Sequence, residues 1–278
     1  MDTHVIDLPE FVRNAIANPH QVTAPGGKVK LFFVGQGEVS ANFQLMATCA
    51  AKHVMVRITG GCKGMNEADK IGMIHFFLTA YKGFRGLAFT GATRQTVNDQ
   101  VDLMVTDAAG FLAMDPRNAG CVALGTAPLV DIPTLQGNSR LVLDSYGTAP
   151  APNMSGIMLV QDGDSMLDWD GDLKSYFAMM DRLIQFANFK SAHIVAWNGG
   201  AITQTEIMLG AKRGWPIFLV NGSGRVTQDL ALQVRAGNFS AFETAGVAER
   251  HFGNIIVVDK DDPMGLRDHL ISRGIITA

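Results

Sequence analysis

Apolar runs alternate with helical patterns along most of the chain. Short runs rich in β-branched and aromatic residues predict strands that are buried on both faces of a sheet: Lys30–Val34, His53–Thr59, Gly86–Thr90, Ala119–Leu124, Ile157–Val160, Ala192–Trp197, Pro216–Val220 and Ile255–Val258. Apolar residues spaced three and four apart predict the intervening helices: Ser40–Ala51, Asn66–Tyr81, Thr96–Met114, Leu173–Phe189, Thr203–Ala211, Val226–Ala236 and Gly265–Ser272. This alternation predicts an α/β fold with a mainly parallel sheet flanked by helices.

Two stretches depart from this rhythm. Residues 1–28 read as an N-terminal lead-in with a short helix after Asp7. Residues 125–153 contain four prolines and read as an extended crossing with one added strand at Arg140–Asp144. No shift in composition and no linker marks a second domain, so residues 29–278 are predicted to form a single domain.

Composition narrows the functional class. The chain has 278 residues, 47% of them hydrophobic and 18% charged, which excludes a disordered protein. A net charge of −3 offers no basic face for nucleic acid, and no apolar run is long enough to span a membrane. The N-terminus lacks a signal-peptide pattern, and the three cysteines lack metal-ligand spacing. We therefore expect a cytoplasmic protein without a metal site; a homo-oligomer is left open.

Glycines cluster where the predicted strands end. In a parallel sheet these ends lie at one edge, where ligands bind. Glycine lets a backbone approach a ligand closely, and the helix that follows attracts anions such as phosphate. The sequence therefore predicts a small-molecule site from these loops, with the candidate residues Gly35, Gly37, Gly60, Gly61, Gly64, Gly91, Thr93, Arg94, Gly125, Thr126, Gly199, Gly200, Thr203, Gly222, Ser223 and Gly224.

Two charged residues stand out beside these loops. Arg225 follows Gly-Ser-Gly at a predicted helix start, where a cation opposes the helix dipole but would suit a bound phosphate. Glu206 lies three residues after Thr203, in the first turns of its helix. A carboxylate there is favourable to the dipole, and it is also a candidate sugar-hydroxyl acceptor or general acid/base.

Other motifs are weak. The Gly35-x-Gly37-x-x-Ser40 segment imitates a dinucleotide fingerprint, but its third glycine is replaced and no acidic residue ends the second strand. An NAD-dependent oxidoreductase is therefore barely supported. The acidic run between Asp162 and Asp172 fails as a calcium loop, since Met166 and Phe177 would occupy its first and twelfth positions.

Several segments resemble the SLOG superfamily, which includes DprA-type proteins, the LOG phosphoribohydrolases and the N-terminal domains of TRPM channels. Thr59-Gly-Gly-Cys-Lys-Gly-Met65 resembles its TGG-x-x-G-V/M segment. Three further segments resemble the TRPM-like (LSDAT) branch: Ala123–Pro128, Leu159–Gly163 and Leu219–Ala231, the last containing Gly-Ser-Gly-Arg225. The resemblance as a whole covers about residues 29–260.

The resemblance implies a Rossmann-like sheet that binds nucleotide-derived ligands such as ADP-ribose. By matched position it implies ligand contacts at Gly60, Gly61, Gly64, Gly199, Gly200, Gly222, Ser223 and Arg225. The LOG motif PGG-x-GT-x-x-E is kept only in part, since Asn198 replaces the proline and Ile202 a glycine, while Thr203 and Glu206 remain.

Two functions follow as hypotheses. The first is a cytosolic binding or sensor protein for an NAD-derived nucleotide that carries a diphosphate. The second is a nucleotide N-glycosidase, or phosphoribohydrolase, that uses Glu206 as its catalytic carboxylate. The sequence assigns no cofactor, and no channel segment follows the domain.

Overall fold

The computed structural model describes residues 6–7, 30–35, 50–91, 93–97, 100–101, 105–128, 140–141, 148–150, 154–161, 169–186 and 189–277. Its strands are β1 Ile6–Asp7, β2 Lys30–Gly35, β3 Val54–Gly61, β4 Leu87–Gly91, β5 Thr93–Val97, β6 Gln100–Val101, β7 Val122–Pro128, β8 Arg140–Leu141, β9 Thr148–Pro150, β10 Gly156–Gln161, β11 Ser191–Asn198, β12 Ile217–Asn221 and β13 Ile255–Asp259. Its helices are α1 Glu67–Ala80, α2 Asp107–Met114, α3 Trp169–Phe186, α4 Ala201–Lys212, α5 Arg225–Arg235, α6 Ser240–Thr244 and α7 Pro263–Ser272, with 3₁₀ turns at Pro116–Asn118 and Glu249–Asn254.

Eight strands form one sheet in the order β13-β12-β11-β3-β4-β7-β10-β2. Every pairing within it is parallel. Two small antiparallel pieces accompany it, β1 with β8 and β6-β5-β9. The predicted Rossmann-like α/β fold with a parallel sheet is confirmed.

Helices cover both faces of the sheet. Alternate residues of β3 point to opposite sides, so Val56 and Ile58 pack with α1, α2 and α7, whereas Met55 packs with α3, α4, α5 and α6. Both clusters are almost closed to solvent, which explains why the strands read as continuous apolar runs. No helix in the described part of the chain combines the length and apolarity needed to cross a bilayer.

Helix starts differ in how their backbone N–H groups are satisfied. The Asn66 side chain accepts a hydrogen bond from the Asp69 backbone at α1, and Asp262 does the same for Gly265 at α7. Helices α4 and α5 instead begin after Gly200 and Gly224, which provide no side-chain cap. Their first N–H groups therefore lack the capping partner that α1 and α7 have.

Three predicted elements differ from the structure or lie mostly outside its described residues. The helix expected over Thr96–Met114 is wrong in its first half, because the chain forms β5 and β6 there and α2 begins only at Asp107. Thr96 and Val97 of β5 instead pair antiparallel with Val101 and Gln100 of β6. The predicted helix over Ser40–Ala51 lies outside the described residues apart from its last two, and so does the lead-in except for Ile6–Asp7.

Tyr81 and His193 form a buried polar pair on the face of the sheet that α1 covers. The Tyr81 hydroxyl oxygen and His193 Nε2 are 2.8 Å apart, and both side chains are fully buried. Their rings stack with centroids 5.9 Å apart. Burial, with a smaller contribution from the Arg273 charge, lowers the pKa of His193 to about 3. The folded protein therefore keeps this imidazole neutral.

His193 should make stability depend on pH. The free histidine has a pKa of 6.5, so the unfolded chain takes up a proton below that pH while the folded chain does so only near 3. As the pH is lowered from 6.5 to about 3, we expect the free energy of unfolding to fall by up to about 1.4 kcal/mol per pH unit. Urea titrations at about pH 7 and about pH 4.5 would measure this fall, and His193→Gln should reduce it.

The control for this experiment is His269→Gln. His269 is exposed on α7, so that variant should keep the pH dependence of the wild type. Equal pH dependence in the wild type and His193→Gln would contradict the prediction.

Candidate functional site

Strands β12, β11 and β3 are neighbours, and their carboxyl ends bring three of the predicted glycine loops together. In the register of β3 with β11, Gly60 lies beside Trp197 and Gly61 beside Asn198. A Cβ atom added to Gly60 would lie 2.0 Å from the Trp197 carbonyl oxygen. Only glycine permits this approach of the two backbones.

Asn198 ties the three loops to one another. Its backbone N–H donates to Ser223 Oγ at 2.9 Å, and its carbonyl oxygen accepts from Thr227 Oγ1 at 2.6 Å. Its side-chain Nδ2 donates to the Lys63 carbonyl oxygen at 3.2 Å. The loops after β3, β11 and β12 therefore share one hydrogen-bonded residue.

The side-chain oxygen of Asn198 takes no part in these hydrogen bonds. Its Oδ1 is buried and has no hydrogen-bond partner in the described structure, while the residue as a whole is 2% exposed. Oδ1 lies 3.6 Å from the position that a Cβ atom on Gly224 would take. An unpaired buried acceptor costs free energy unless a ligand or water completes it.

The backbone is unusual at the same place. Among the described residues other than glycine, positive φ angles occur only at Asn198, at 55°, and Arg225, at 48°. Asparagine tolerates this conformation better than most residues, whereas arginine does not. Such strain concentrates where binding sites are formed.

Arg225 begins α5, as the sequence predicted, and its side chain reaches back over α4. A Cβ atom added to Gly200 would lie 2.9 Å from Arg225 Nη2. The guanidinium group therefore lies at the N-terminus of α4, while its own backbone forms the N-terminus of α5. Each helix end carries about half a positive charge, so three positive groups meet here.

Arg225 and the start of α5 border a pocket of about 430 Å³, which we call the basic pocket. Three basic side chains line it, from Lys63, Arg225 and Lys260. Its acidic lining residue, Asp69, has Oδ1 3.8 Å from Lys260 Nζ. The remaining lining residues are Gly64, Met65, Trp197, Asn198, Gly222, Ser223 and Gly224. The basic pocket is therefore suited to an anion with more than one negative charge.

A second pocket of about 460 Å³ adjoins the first, and we call it the α1 pocket. It shares Asp69, Trp197 and Lys260 with the basic pocket. Its other lining residues come from α1, from the segment after β13 and from the start of α7, namely Ala68, Gly72, His75, Phe76, Asp261 and Pro263.

Most of the remaining predicted site residues lie apart from the basic pocket. A Cβ atom added to Gly61 would lie 3.8 Å from Gly199 Cα, and one added to Gly199 would meet the Thr203 side chain at 2.3 Å. Gly91 ends β4, and Gly35 ends β2 at the far edge of the sheet. Thr93 and Arg94 belong to β5, and Gly37 lies outside the described residues.

Gly125 and Thr126 were expected in a loop, but that placement is wrong. Strand β7 continues through both of them to Pro128, pairing them with β4 and β10. Both are buried, and the Thr126 hydroxyl has no hydrogen-bond partner in the described structure. The expected turn is absent because hydrogen bonds to two neighbouring strands extend this central strand.

Glu206 lies on the sheet side of α4, in contact with β3. Its Oε1 accepts a hydrogen bond from Arg57 Nη2 at 2.7 Å, and both side chains are almost fully buried. The Arg57 guanidinium also lies over the Phe89 ring, 5.5 Å from its centroid. Glu206 is not among the residues that line the two pockets. Its carboxylate therefore serves as the counter-charge of a buried arginine.

Sequence reasoning missed Asn198, Lys63, Lys260, Asp69 and Trp197 as site residues. Asn198 and Trp197 stand directly before the predicted Gly199-Gly200 pair, and Lys63 stands inside the Gly60–Gly64 loop. Lys260 follows a predicted strand and carried no glycine to mark it. The described residues contain no cluster of histidine, cysteine or acidic groups that could hold a metal ion.

Comparisons with known proteins give structural matches alone. No family model matches the chain, and no curated protein matches it. Among solved structures, TM1055, a structural genomics target, is 16% identical with a TM-score of 0.45 and covers 77% of this chain and 98% of its own. The molybdenum cofactor carrier protein of Chlamydomonas reinhardtii is 13% identical with a TM-score of 0.40, covering 78% and 98%.

Replacing Glu206 should destabilise the fold. Glu206→Gln replaces the carboxylate that pairs with the buried Arg57 guanidinium by a neutral amide, so we expect a loss of about 3–5 kcal/mol in the free energy of unfolding. Urea denaturation would measure it. The paired variant Arg57→Met with Glu206→Leu removes both charges and should recover most of the loss. A Glu206→Gln protein as stable as the wild type would contradict this role.

Proposed function

We propose that this protein binds a nucleotide that carries a diphosphate group, of the ADP-ribose type, and acts as a binding or sensor protein. The observation that carries the proposal is the Arg225 guanidinium, which lies over Gly200 between the N-termini of α4 and α5. A cation is unfavourable at either helix end when nothing else is bound. A phosphate would turn this repulsion into attraction, because guanidinium and backbone N–H groups would meet on one anion.

The other charges of the basic pocket support a diphosphate over a single phosphate. Lys63 and Lys260 line the same pocket as Arg225, so cations are available to a second phosphate group. The volume of about 430 Å³ lies within the range of small-molecule sites. Asn198 Oδ1 adds a buried acceptor that a ligand hydroxyl or a bound water would satisfy.

The choice of a nucleotide rests on the sequence resemblance to the SLOG superfamily. The segment that resembles its TRPM-like branch, Gly222-Ser-Gly-Arg225, lines the basic pocket. Gly64, from the segment that resembles the superfamily as a whole, lines it as well. Nucleotide-derived ligands are what the resemblance implies for these positions.

Binding is favoured over N-glycoside hydrolysis because of where Glu206 lies. A catalytic carboxylate must reach the reacting atoms. The Glu206 residue is 2% exposed and is held by Arg57, away from the lining of both pockets. Incubation with ADP-ribose followed by mass spectrometry would test this preference, and we expect the ligand to return intact. Release of a free base from nucleotide monophosphates by the wild-type protein would support the hydrolase instead.

Arg225→Ala should weaken binding. Losing one charge-assisted hydrogen bond is expected to raise the Kd for ADP-ribose and for inorganic pyrophosphate about 10- to 150-fold. Isothermal titration calorimetry of both ligands would measure this. The unliganded variant should melt no lower than the wild type, because a cation is removed from two positive helix ends.

The matched control is Arg182→Ala. Arg182 is an exposed arginine on α3, and it is not among the lining residues of either pocket. Its removal changes the net charge equally and should leave both Kd values unchanged. If Arg225→Ala binds pyrophosphate as tightly as Arg182→Ala, the basic pocket is not the anion site.

A further inference from the structure

The α1 pocket adjoins the basic pocket, and the two share a wall. Asp69, Trp197 and Lys260 belong to both linings. A ligand with its phosphates in the basic pocket can therefore continue into the α1 pocket without leaving the protein surface.

One face of α1 lines the α1 pocket, and two of its residues there, Ala68 and Gly72, are small. Ala68, Gly72 and Phe76 are four residues apart, so they lie on one face of the helix. A Cβ atom added to Gly72 would meet no atom within 4 Å. Glycine inside a helix costs about 0.5–1 kcal/mol relative to alanine, so helix stability does not explain its presence. The space beside it calls for another explanation.

Trp197 gives an independent sign of a ligand. It is 3% exposed, it borders both pockets, and its indole Nε1 is a buried donor without a hydrogen-bond partner in the described structure. Native proteins leave few buried donors unsatisfied. Asn198 Oδ1, on the lining of the basic pocket, is a second unpartnered buried atom. A polar ligand that spans both pockets would supply an acceptor for Trp197 Nε1 and a donor for Asn198 Oδ1.

Asp69 is placed to recognise a sugar. It stands on the wall between the two pockets, where the group joining a base to its phosphates would lie. Its side chain is 44% exposed, so its oxygens are accessible although Lys260 lies 3.8 Å away. A carboxylate accepts hydrogen bonds from the hydroxyls of ribose, and a bound phosphate would compete with it for Lys260.

We propose that the α1 pocket holds the nucleoside half of the diphosphate nucleotide, with Asp69 accepting hydrogen bonds from the ribose hydroxyls. The inference rests on the proposed function, since it takes the diphosphate to lie in the basic pocket. It adds the direction in which the ligand runs and the residues that recognise its uncharged half. The ligand class is therefore a ribonucleoside diphosphate and not a bare polyphosphate.

Gly72→Leu tests the pocket without harming the fold. The added side chain enters open space on a helix, so the variant should be at least as stable as the wild type. In the wild type, ADP should bind more tightly than inorganic pyrophosphate. In Gly72→Leu we expect pyrophosphate to bind unchanged and ADP to lose about 10-fold or more of its affinity. Calorimetry with both ligands measures the difference.

The matched control is Ala178→Leu, which adds the same side chain to an exposed position of α3. It should keep the affinities of the wild type for both ligands. An equal loss in Ala178→Leu and Gly72→Leu would mean that the effect is not local to the α1 pocket.

Asp69→Asn tests the sugar contact. A weaker acceptor should reduce ADP binding by about 10-fold, and less so for 2′-deoxy-ADP, which has one hydroxyl fewer to lose. Pyrophosphate should bind this variant as tightly as the wild type or more tightly, because a negative charge near Lys260 is gone. A merely structural role for Asp69 would weaken all three ligands together.

The outcomes separate this inference from the proposed function. If pyrophosphate and ADP both fail to bind the wild-type protein, the proposed function is wrong. If pyrophosphate binds through Arg225 while ADP binds no better, or Gly72→Leu binds ADP like the wild type, the anion site stands and the nucleoside pocket is rejected.

Discussion

The close approach of two strand ends is the constraint on which the rest of the site depends. Gly60 lies against the Trp197 carbonyl, where any side chain on β3 would collide with β11. This contact sets the two loops side by side, so that Asn198 can hydrogen-bond to Lys63 on one side and to Ser223 and Thr227 on the other. Gly60 thus acts through geometry. It allows the loops to lie close together, and this brings their basic side chains into one pocket.

The site stores unfavourable interactions that its surroundings offset. Positive φ at Asn198 and Arg225 costs about 1–3 kcal/mol each in general, and both residues line the basic pocket. The Arg225 guanidinium at two uncapped helix ends adds electrostatic repulsion. The buried cores on both faces of the sheet hold this arrangement in place. An anion relieves the repulsion, which is why these costs point to binding.

Charged and polar pairs within the sheet have a different role from those at its edge. Arg57 with Glu206, and Tyr81 with His193, are buried on opposite faces of neighbouring strands β3 and β11. Breaking such a pair leaves one polar group buried without its partner, so these pairs constrain the sheet beneath the loops. Glu206 illustrates the difficulty of reading a role from a motif. Its spacing from Thr203 fits a hydrolase pattern, yet its carboxylate is paired with the buried Arg57 guanidinium.

The sequence was sufficient for the features that depend on local physics. Hydrophobic periodicity predicted the parallel α/β sheet and a helix over Val226–Ala236, which the structure has at Arg225–Arg235. It failed over Thr96–Val101, where the pattern fits a helix but the chain pairs as strands. Hydrophobic periodicity could not predict the strand order, the register or the contact between Asp69 and Lys260. These depend on contacts between residues far apart in the chain, whereas periodicity records only the neighbours of each residue. The sequence had singled out the glycine loops, but only the tertiary structure joined Asp69 and Lys260 to them in one pocket, because these two residues lie on elements far apart in the chain.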